Sequence, residues 1–277
     1  MKFQIDHDLH IHSYISPCAG CDPRQTKDAI LMYGLLNHYG LLCVTDHIWD
    51  RKVESVKDNI WVNLGLDFEK AKEILPLSQS EHCKVLFGIE ADMDYLDNIA
   101  VSKEEYDTFD FIILAPSHLH LKGFTRNEAE VGSTAAEYKA YYQERLMKIL
   151  NMDLPFHKCG IAHFTSCLNC NEGKTAALDL FTDDEFRAIF GLAAERGIGI
   201  EINGWGILTD YTPEERESLL RPYRIAREMG CKFYLGGDSH TPEEFIPRRE
   251  EMQYAVDRLG LTEDDKHPFV KEHIVKP

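Results

Sequence analysis

Two histidines stand two positions apart early in the chain, in the stretch DLHIHSYISPC. His10 and His12 end a short apolar segment, and residues two apart on a strand project to the same side. Two imidazoles that point the same way can hold one metal ion together. Asp238 and His240 repeat this spacing in the later stretch GGDSH. These two pairs are the first candidates for a metal site.

Further candidate ligands follow other apolar runs. The stretch TDH contributes His47, GIEAD contributes Glu90, PSHLH contributes His118 and His120, and His163 follows CGIA. One such residue alone is a weak indication, because isolated histidines and carboxylates often lie on loops or at the surface. The recurrence of ligand types after every predicted strand except the sixth favours a site for several metal ions, and imidazole and carboxylate suit zinc, iron, manganese or nickel.

The elements that must position these residues can be read from apolar periodicity. Runs of apolar residues predict strands at 3–9, 41–46, 84–90, 110–116, 159–163, 198–202 and 232–237. Helical patterns at 26–39, 134–150, 182–196, 212–229 and 241–258 lie between most of them, several with a threonine as N-cap. This alternation predicts a parallel α/β fold. We expect one closed or nearly closed barrel over residues 1–277, with an open doubly wound sheet as the alternative.

A parallel barrel would bring all of these strand ends to one face, where the active sites of such barrels lie. The rest of the surface is strongly acidic, since the formal net charge of the 277 residues is −17. That charge disfavours binding to nucleic acid or to anionic lipid. If the substrate is itself an anion, bound cations would reverse the field locally.

No apolar run approaches the length of a membrane span, and the N-terminal stretch MKFQIDHDLH lacks the apolar core of a signal sequence. We therefore expect a cytoplasmic protein with no membrane partner.

The order of the motifs resembles the polymerase and histidinol phosphatase (PHP) family of metal-dependent phosphoesterases. The resemblance runs from residue 6 to about residue 244, and DLHIHSYIS and GGDSH are its most specific parts. It implies a distorted seven-stranded (β/α)7 barrel of the TIM type, with the same number of strands as the apolar runs predict. It also implies hydrolysis of a phosphate ester of a small metabolite. Histidinol phosphate, a nucleotide and a sugar phosphate all remain candidates.

The resemblance also assigns ligands to two or three divalent transition-metal ions. The ligands of the first ion would be His10, His12, Glu90 and Asp238. Glu90 would bridge to a second ion, whose other ligands would be His118 and His163. The third ion would be held by His47 and His240, with Cys18 at a position where relatives with three ions often have a histidine. A thiolate is a competent metal ligand.

The mechanism that this assignment implies uses a hydroxide held between two ions, which also neutralise charge on the phosphoryl oxygens. Glu90, Asp238 and His240 are the candidate catalytic residues, and His120 is a candidate proton donor to the leaving oxygen. Ligating histidines need acceptors that orient them, and Asp8 is the first candidate because it shares the parity of His10.

Candidate substrate contacts lie in two loops. Lys122 and Arg126 belong to the long stretch HLHLKGFTRNEAEVG, and Asn203 ends the sixth predicted strand. Each cation could equally be a solvated surface charge. The pairs CAGC (Cys18, Cys21) and CLNC (Cys167, Cys170) leave three alternatives open, which are a shared Cys₄ zinc site, Cys18 alone as a ligand, and free thiols.

Two other functions are compatible with such a site. One is C–N bond hydrolysis by an amidohydrolase-like barrel, a class that commonly bridges its metals with a lysine after a mid-barrel strand, whereas this chain has Glu90 on its third predicted strand. The other is a binding domain whose ions only stabilise the fold. Structural metal sites are closed by protein ligands, whereas catalytic sites keep open positions.

Overall fold

The computed structural model describes residues 1–127, 134–165, 170–203 and 205–275. Within these ranges seven parallel strands lie side by side in the order of the chain. They are His7–Ile11 (β1), Leu41–Val44 (β2), Lys84–Asp92 (β3), Phe111–Ala115 (β4), Cys159–Ile161 (β5), Gly199–Asn203 (β6) and Lys232–Gly236 (β7). All seven predicted strands are confirmed.

The sheet closes on itself between β1 and the segment that follows β7. The N–H of Asp238 donates to the carbonyl of His10 over 2.7 Å, and the N–H of His12 donates to the carbonyl of Ser239 over 3.1 Å. These bonds make a nearly closed barrel. The predicted seven-stranded TIM-like barrel is confirmed, and the alternative of an open sheet is wrong.

Helices connect the strands. The α-helices of the described ranges are Lys27–Leu36 (α1), Ile60–Asn63 (α2), Phe68–Ala71 (α3), Ala135–Asn151 (α4), Ala176–Asp179 (α5), Asp183–Arg196 (α6), Pro213–Glu228 (α7), Phe245–Leu259 (α8) and Pro268–His273 (α9). Short 3₁₀ turns occupy Pro17–Ala19, Lys72–Ile74, Lys103–Thr108, Phe156–Lys158, Pro242–Glu244 and Glu263–Asp265. The predicted N-caps at Thr26, Thr182 and Thr212 are confirmed, because each hydroxyl accepts a backbone N–H of the first helical turn. None of the described helices is both long and apolar enough to cross a membrane.

The interior of the barrel is apolar away from the strand ends that carry the candidate ligands. It is filled by Leu9, Leu41, Cys43, Leu86, Phe111, Ile113, Ala115, Ala162, Tyr234, Phe269 and Val270. A larger apolar core packs the helices against the strands. Because all strands are parallel, their carboxyl ends open together at one face, and the polar side chains are concentrated there.

His7 joins the first and last strands near the start of β1. Its Nε2 accepts the N–H of Leu235 over 3.0 Å, and its Nδ1 lies 2.8 Å from Asp6 Oδ1. The ring is therefore neutral, with its proton on Nδ1. Burial lowers the pKa of His7 below its usual value, although Asp6 opposes this shift.

We expect His7→Phe to reduce the free energy of unfolding by about 1–3 kcal/mol at pH 8, because the buried N–H of Leu235 loses its acceptor. A histidine whose pKa is lowered by folding stabilises the fold above its unfolded pKa of about 6.5, and this contribution is lost as the pH falls. Urea unfolding at pH 8 and pH 5.5 should show a smaller difference at the lower pH. His82→Phe changes an exposed histidine and serves as the control. A difference that does not change with pH would contradict this account.

Candidate metal centre

Glu90 lies at the centre of the barrel mouth, where five imidazoles surround its carboxylate. It belongs to β3, and its side chain is 1% exposed. The distances from its oxygens to the Nε2 atoms are 2.8 Å for His163, 3.0 Å for His47, 3.2 Å for His10, 3.2 Å for His12 and 3.6 Å for His118. Burial would raise the pKa of Glu90, but His47, His10 and His118 lower it well below its usual range. The carboxylate is therefore ionised.

The four predicted ligands of the first ion form one group. His10 Nε2 lies 3.2 Å from Glu90 Oε2 and 3.4 Å from Asp238 Oδ1. His12 Nε2 lies 3.2 Å and 3.1 Å from the same two atoms. Donors around a tetrahedral zinc ion with bonds of about 2.0–2.1 Å are about 3.3 Å apart. The spacing of the four donors therefore fits a zinc-sized ion.

A buried atom without a partner supports this fit. His10 Nε2 is fully buried and makes no hydrogen bond with any residue in the described ranges. The other ring nitrogen, Nδ1, lies 2.7 Å from Glu201 Oε1. When Nδ1 donates its proton to that carboxylate, the lone pair of Nε2 is left facing Glu90 and Asp238. This is the arrangement that a metal-binding histidine requires.

Two of the candidate ligands have an unusual backbone conformation. His163 has a φ of 26° and Asp238 has a φ of 52°. Side chains other than glycine rarely adopt positive φ, and such residues cluster at functional sites. At these two positions the chain adopts a strained backbone that directs an imidazole and a carboxylate toward the mouth.

A second group of donors lies on the other side of Glu90. Donor atoms of His47, Glu90 and His118 lie within 4.8 Å of one another, and His163 Nε2 is 2.8 Å from Glu90 Oε1. The structure therefore brings both predicted ligands of the second ion, His118 and His163, to the carboxylate that would bridge to the first. His47, predicted for the third ion, also faces this group.

Asp92 holds two of these imidazoles in place. Its two oxygens lie 2.8 Å from His118 Nδ1 and 3.0 Å from His47 Nδ1. The indole N–H of Trp61 donates to it over 2.6 Å, and the Trp61 ring stacks on His47 at 4.3 Å. Burial would raise the pKa of Asp92, but His118 and His47 lower it below its usual value. Asp92 is thus an ionised acceptor that orients His118, and its contact with His47 Nδ1 is a charge pair without the geometry of a hydrogen bond.

The residues predicted for a third ion lie beside His12. Donor atoms of His12, Cys18 and His47 fall within 4.8 Å of one another. Cys18 Sγ is 3.7 Å from His12 Nδ1, and the His240 ring stacks on His12 at 4.4 Å. Cys18 as a whole is exposed. Partial burial of its thiol would raise the pKa, but His12 and His47 lower the pKa of Cys18 to about 3. The thiolate form that a metal ligand needs is favoured, and its role as a ligand stays a prediction.

The other cysteines of the two pairs contribute less information. Cys21 is exposed and Cys170 is half-buried. Cys167 lies outside the described residues. The shared Cys₄ site therefore stays a prediction that the described residues do not test.

Glu201 was not recognised from the sequence, yet it holds two ligand-bearing segments. Oε1 lies 2.7 Å from His10 Nδ1, and Oε2 accepts the backbone N–H of His163 over 2.5 Å. A β-carbon on Gly236 would lie 1.9 Å from Glu201 Oε1, so only glycine fits there. The signal was a carboxylate inside the apolar strand IGIEI, because a buried charge needs a partner.

The prediction that Asp8 orients the imidazoles is wrong. Its Oδ1 accepts the backbone N–H groups of His10 and Gly237, and its Oδ2 accepts the hydroxyl of Tyr33. Because the register between β1 and β2 shifts between Asp8 and Ile11, the alternation predicted from the sequence is broken, and Asp8 turns toward Tyr33 of α1. It therefore ties β1 to the end of β7 and does not reach an imidazole.

A cavity of about 550 Å³ opens over the ligands. It is lined by Pro17, Cys18, His47, Ile60, Trp61, Leu64, Glu90, His118, His120, Leu121, His163, Lys174, Asn203, Trp205, Asp210, Tyr211, Asp238 and His240. Of the three predicted substrate contacts, Asn203 lines it, whereas Lys122 and Arg126 do not. Arg126 is buried, and its guanidinium donates to the hydroxyl of Tyr138.

His120 also faces this cavity. Burial lowers its pKa to about 4, and the neighbouring His118 acts in the same direction. The ring is neutral near pH 7, which disfavours its predicted role as a proton donor.

Comparison with solved structures finds this fold in a histidinol phosphate phosphatase from Lactococcus lactis subsp. lactis Il1403, complexed with zinc, L-histidinol and phosphate. The TM-score is 0.59 at 15% identity, over 92% of this chain and 94% of that chain. This chain has the fold of that phosphatase. A structure from Listeria monocytogenes, named as a histidinol phosphatase, has the same TM-score and identity over 86% of this chain and 96% of that one. The sequence matches no family model. It also matches no curated protein.

We expect Glu201→Gln to weaken metal binding at the group of His10 by roughly 10–100-fold, because the imidazole loses the carboxylate that orients it. Competition with a chromophoric chelator measures this affinity, and circular dichroism checks that the fold is retained. Glu195→Gln, an exposed residue of α6, is the matched control. Unchanged metal affinity in Glu201→Gln would show that Glu201 does not support the site.

Proposed function

We propose that the protein is a metal-dependent phosphoesterase of the PHP type that hydrolyses a phosphate monoester of a small metabolite. The observation that carries this proposal is the convergence of five imidazoles on the buried carboxylate of Glu90. The shared fold with a zinc-containing phosphatase supports it. The order of the sequence motifs is separate support. It is needed because a fold shared at 15% identity does not by itself indicate a shared activity.

The residues present fit two or three divalent ions, with zinc, iron, manganese and nickel as candidates. Such ions, when bound, would lower the pKa of a water between them and neutralise charge on the phosphoryl oxygens. Glu90 would be shared between the first and second ion, since its two oxygens face different histidines. Asp238 would be a further ligand of the first ion, since its Oδ1 lies 3.4 Å from His10 Nε2 and 3.1 Å from His12 Nε2. The negative charges of Glu90 and Asp238 attract cations to the barrel mouth. An anionic substrate would need these cations in order to bind there.

His240 is the third proposed catalytic residue. Its Nδ1 lies 2.8 Å from the carbonyl of Asp238, so Nδ1–H donates and Nε2 keeps its lone pair. The ring lines the cavity and packs at right angles to Trp205, with 5.4 Å between ring centroids. We infer that Nε2 binds a third ion together with His47 and the thiolate of Cys18.

The cavity suggests which substrates to test first. Its outer walls are formed by Ile60, Leu64, Leu121, Trp205 and Tyr211, which suit an organic group with apolar or flat surface. The phosphatase from Lactococcus lactis was complexed with L-histidinol and phosphate, and histidinol phosphate heads the panel for this reason. The volume of about 550 Å³ suits a small metabolite.

The alternatives are less well supported. A metal-bridging lysine after a mid-barrel strand is typical of the amidohydrolase-like barrels, whereas the carboxylate proposed to bridge here is Glu90 of β3. A purely structural metal site would be closed by protein ligands. These donors instead line an open cavity.

We expect the metal-loaded protein to hydrolyse at least one phosphate monoester, to lose this activity on chelation and to regain it with a divalent transition metal. Phosphate release is measured over a panel of histidinol phosphate, sugar phosphates, nucleotides and aryl phosphates. A mock dialysis without chelator is the control. Activity that survives complete metal removal, or its absence with every ester after reconstitution, would refute the proposal.

We expect Glu90→Gln to reduce kcat by much more than tenfold, the equivalent of about 1.4 kcal/mol. The amide cannot supply the charge that two ions would share, so the metal content should also fall by more than one ion per chain. Thermal unfolding in excess metal should change less than the activity does. Glu81→Gln, at an exposed position, is the control. A smaller loss of kcat would mean that Glu90 does not bridge two ions.

A further inference from the structure

Asn203, the last residue of β6, carries a buried amide at the floor of the cavity. The residue is 6% exposed and lines the cavity. The backbone N–H of Trp205 lies 2.9 Å from Asn203 Oδ1. Because a backbone N–H can only donate, this contact identifies the oxygen and fixes the orientation of the amide.

The amide nitrogen has no comparable contact. Asn203 Nδ2 is buried and makes no hydrogen bond with any residue in the described part of the chain. Leaving a buried donor unpaired is unfavourable, and a ligand with an acceptor oxygen would remove that cost. The fixed Oδ1 contact means that the amide cannot rotate by half a turn to satisfy the nitrogen elsewhere without losing the bond from Trp205.

The position of Asn203 in the sheet places it beside the first group of candidate ligands. Asn203 pairs with Gly236 of β7, two residues before Asp238. It also follows Glu201 by two residues, so both side chains project to the same side of β6. The carboxylate of Glu201 contacts His10, and the amide of Asn203 lies one layer nearer to the opening.

We propose that Asn203 Nδ2 donates a hydrogen bond to a phosphoryl oxygen of the substrate, an inference that rests on the proposed function. Unprotonated phosphoryl oxygens can only accept hydrogen bonds, which matches a donor whose orientation is fixed. The amide is neutral, so it can approach an anion without competing with metal ions for Glu90 and Asp238. Among the described residues that line the cavity, the only lysine or arginine is Lys174.

The lining residues differ in how deeply they lie in the cavity. This difference indicates where the phosphoryl group and the organic group of the substrate would lie. Trp205 is 37% exposed and Leu64 is 58% exposed, so both form the rim of the cavity. Lys174 is also exposed and donates to the carbonyl of Asp210. Asn203 lies below this rim, near the candidate metal ligands that the phosphoryl group must reach. The organic group would occupy the wider and more apolar outer part.

A cation–π contact packs against Trp205, the residue whose backbone N–H donates to Asn203. The guanidinium of Arg248 lies 4.0 Å from the centroid of the Trp205 ring. Arg248 is itself held by Glu244 and Glu251, each at 3.2 Å. This packing supports the Trp205 side chain at the rim of the cavity.

The test measures inorganic phosphate binding to the metal-loaded protein by calorimetry, alongside hydrolysis. We expect Asn203→Ala to raise the Kd for phosphate roughly tenfold through loss of the donor. Asn203→Asp should raise it further, because it keeps an acceptor for Trp205 but turns a negative charge toward the anion. Asn151→Asp, an exposed amide at the end of α4, should leave the Kd unchanged.

Two further readouts separate binding from structure. Metal content should be equal in wild type and variants. The quenching of tryptophan fluorescence by acrylamide, which reports mainly on Trp205 because Trp49 and Trp61 are buried, should be equal in wild type and Asn203→Asp.

Three results would overturn the inference. They are a phosphate Kd in Asn203→Ala within twofold of wild type, a loss of metal in the variants, and a change confined to the KM of one ester with phosphate binding unaltered. The last result would assign the amide to the organic group. A wild-type protein that neither binds phosphate nor hydrolyses any ester would instead refute the proposed function, and the inference with it.

Discussion

The structure of the barrel mouth depends on one buried carboxylate. Glu90 contacts imidazoles that come from β1 and from the segments after β1, β2, β4 and β5, so the site is complete only where these strands lie together in the barrel. An ionised carboxylate in the interior costs several kcal/mol unless opposite charges surround it. Protonated histidines meet this need in the metal-free protein, and divalent ions would meet it with the histidines neutral. Metal binding would therefore release protons and weaken as the pH falls.

A second layer of acceptors turns this cluster into a site with defined geometry. Glu201 contacts His10, Asp92 contacts both His47 and His118, and Ser117 Oγ lies 2.5 Å from His163 Nδ1. Each contact uses Nδ1, so each Nε2 points to the centre. The acceptors thus orient the histidines before any ion binds. Preorganisation of this kind is what allows a site to stabilise a reaction without rearranging during it.

The charge distribution explains how an acidic protein can receive an anionic ester. The formal net charge of −17 repels anions at long range, and the described cavity walls carry a single lysine. Ions held by Glu90 and Asp238 would reverse the sign of the field only at the floor. A neutral donor such as the amide of Asn203 suits this floor, because it adds a hydrogen bond without adding charge that the ions would repel.

Local sequence patterns determined the seven strands, the capped helices and the types of ligand at the strand ends. These features depend on alternation, capping and spacing within a few residues, which a single sequence displays directly. The common orientation of the His10 and His12 side chains followed from the same spacing.

Only the tertiary structure decided which residues support the ligands. A register shift between Asp8 and Ile11 turns Asp8 away from the imidazoles, and Glu201 reaches from β6 to His10 of β1 because Gly236 leaves room for it. Arg126 turns to Tyr138 and away from the cavity, although its loop begins at His118. Such contacts depend on the stagger between strands and on the paths of loops. The stagger and the loop paths are set by packing between segments far apart in the chain, and no local pattern encodes them.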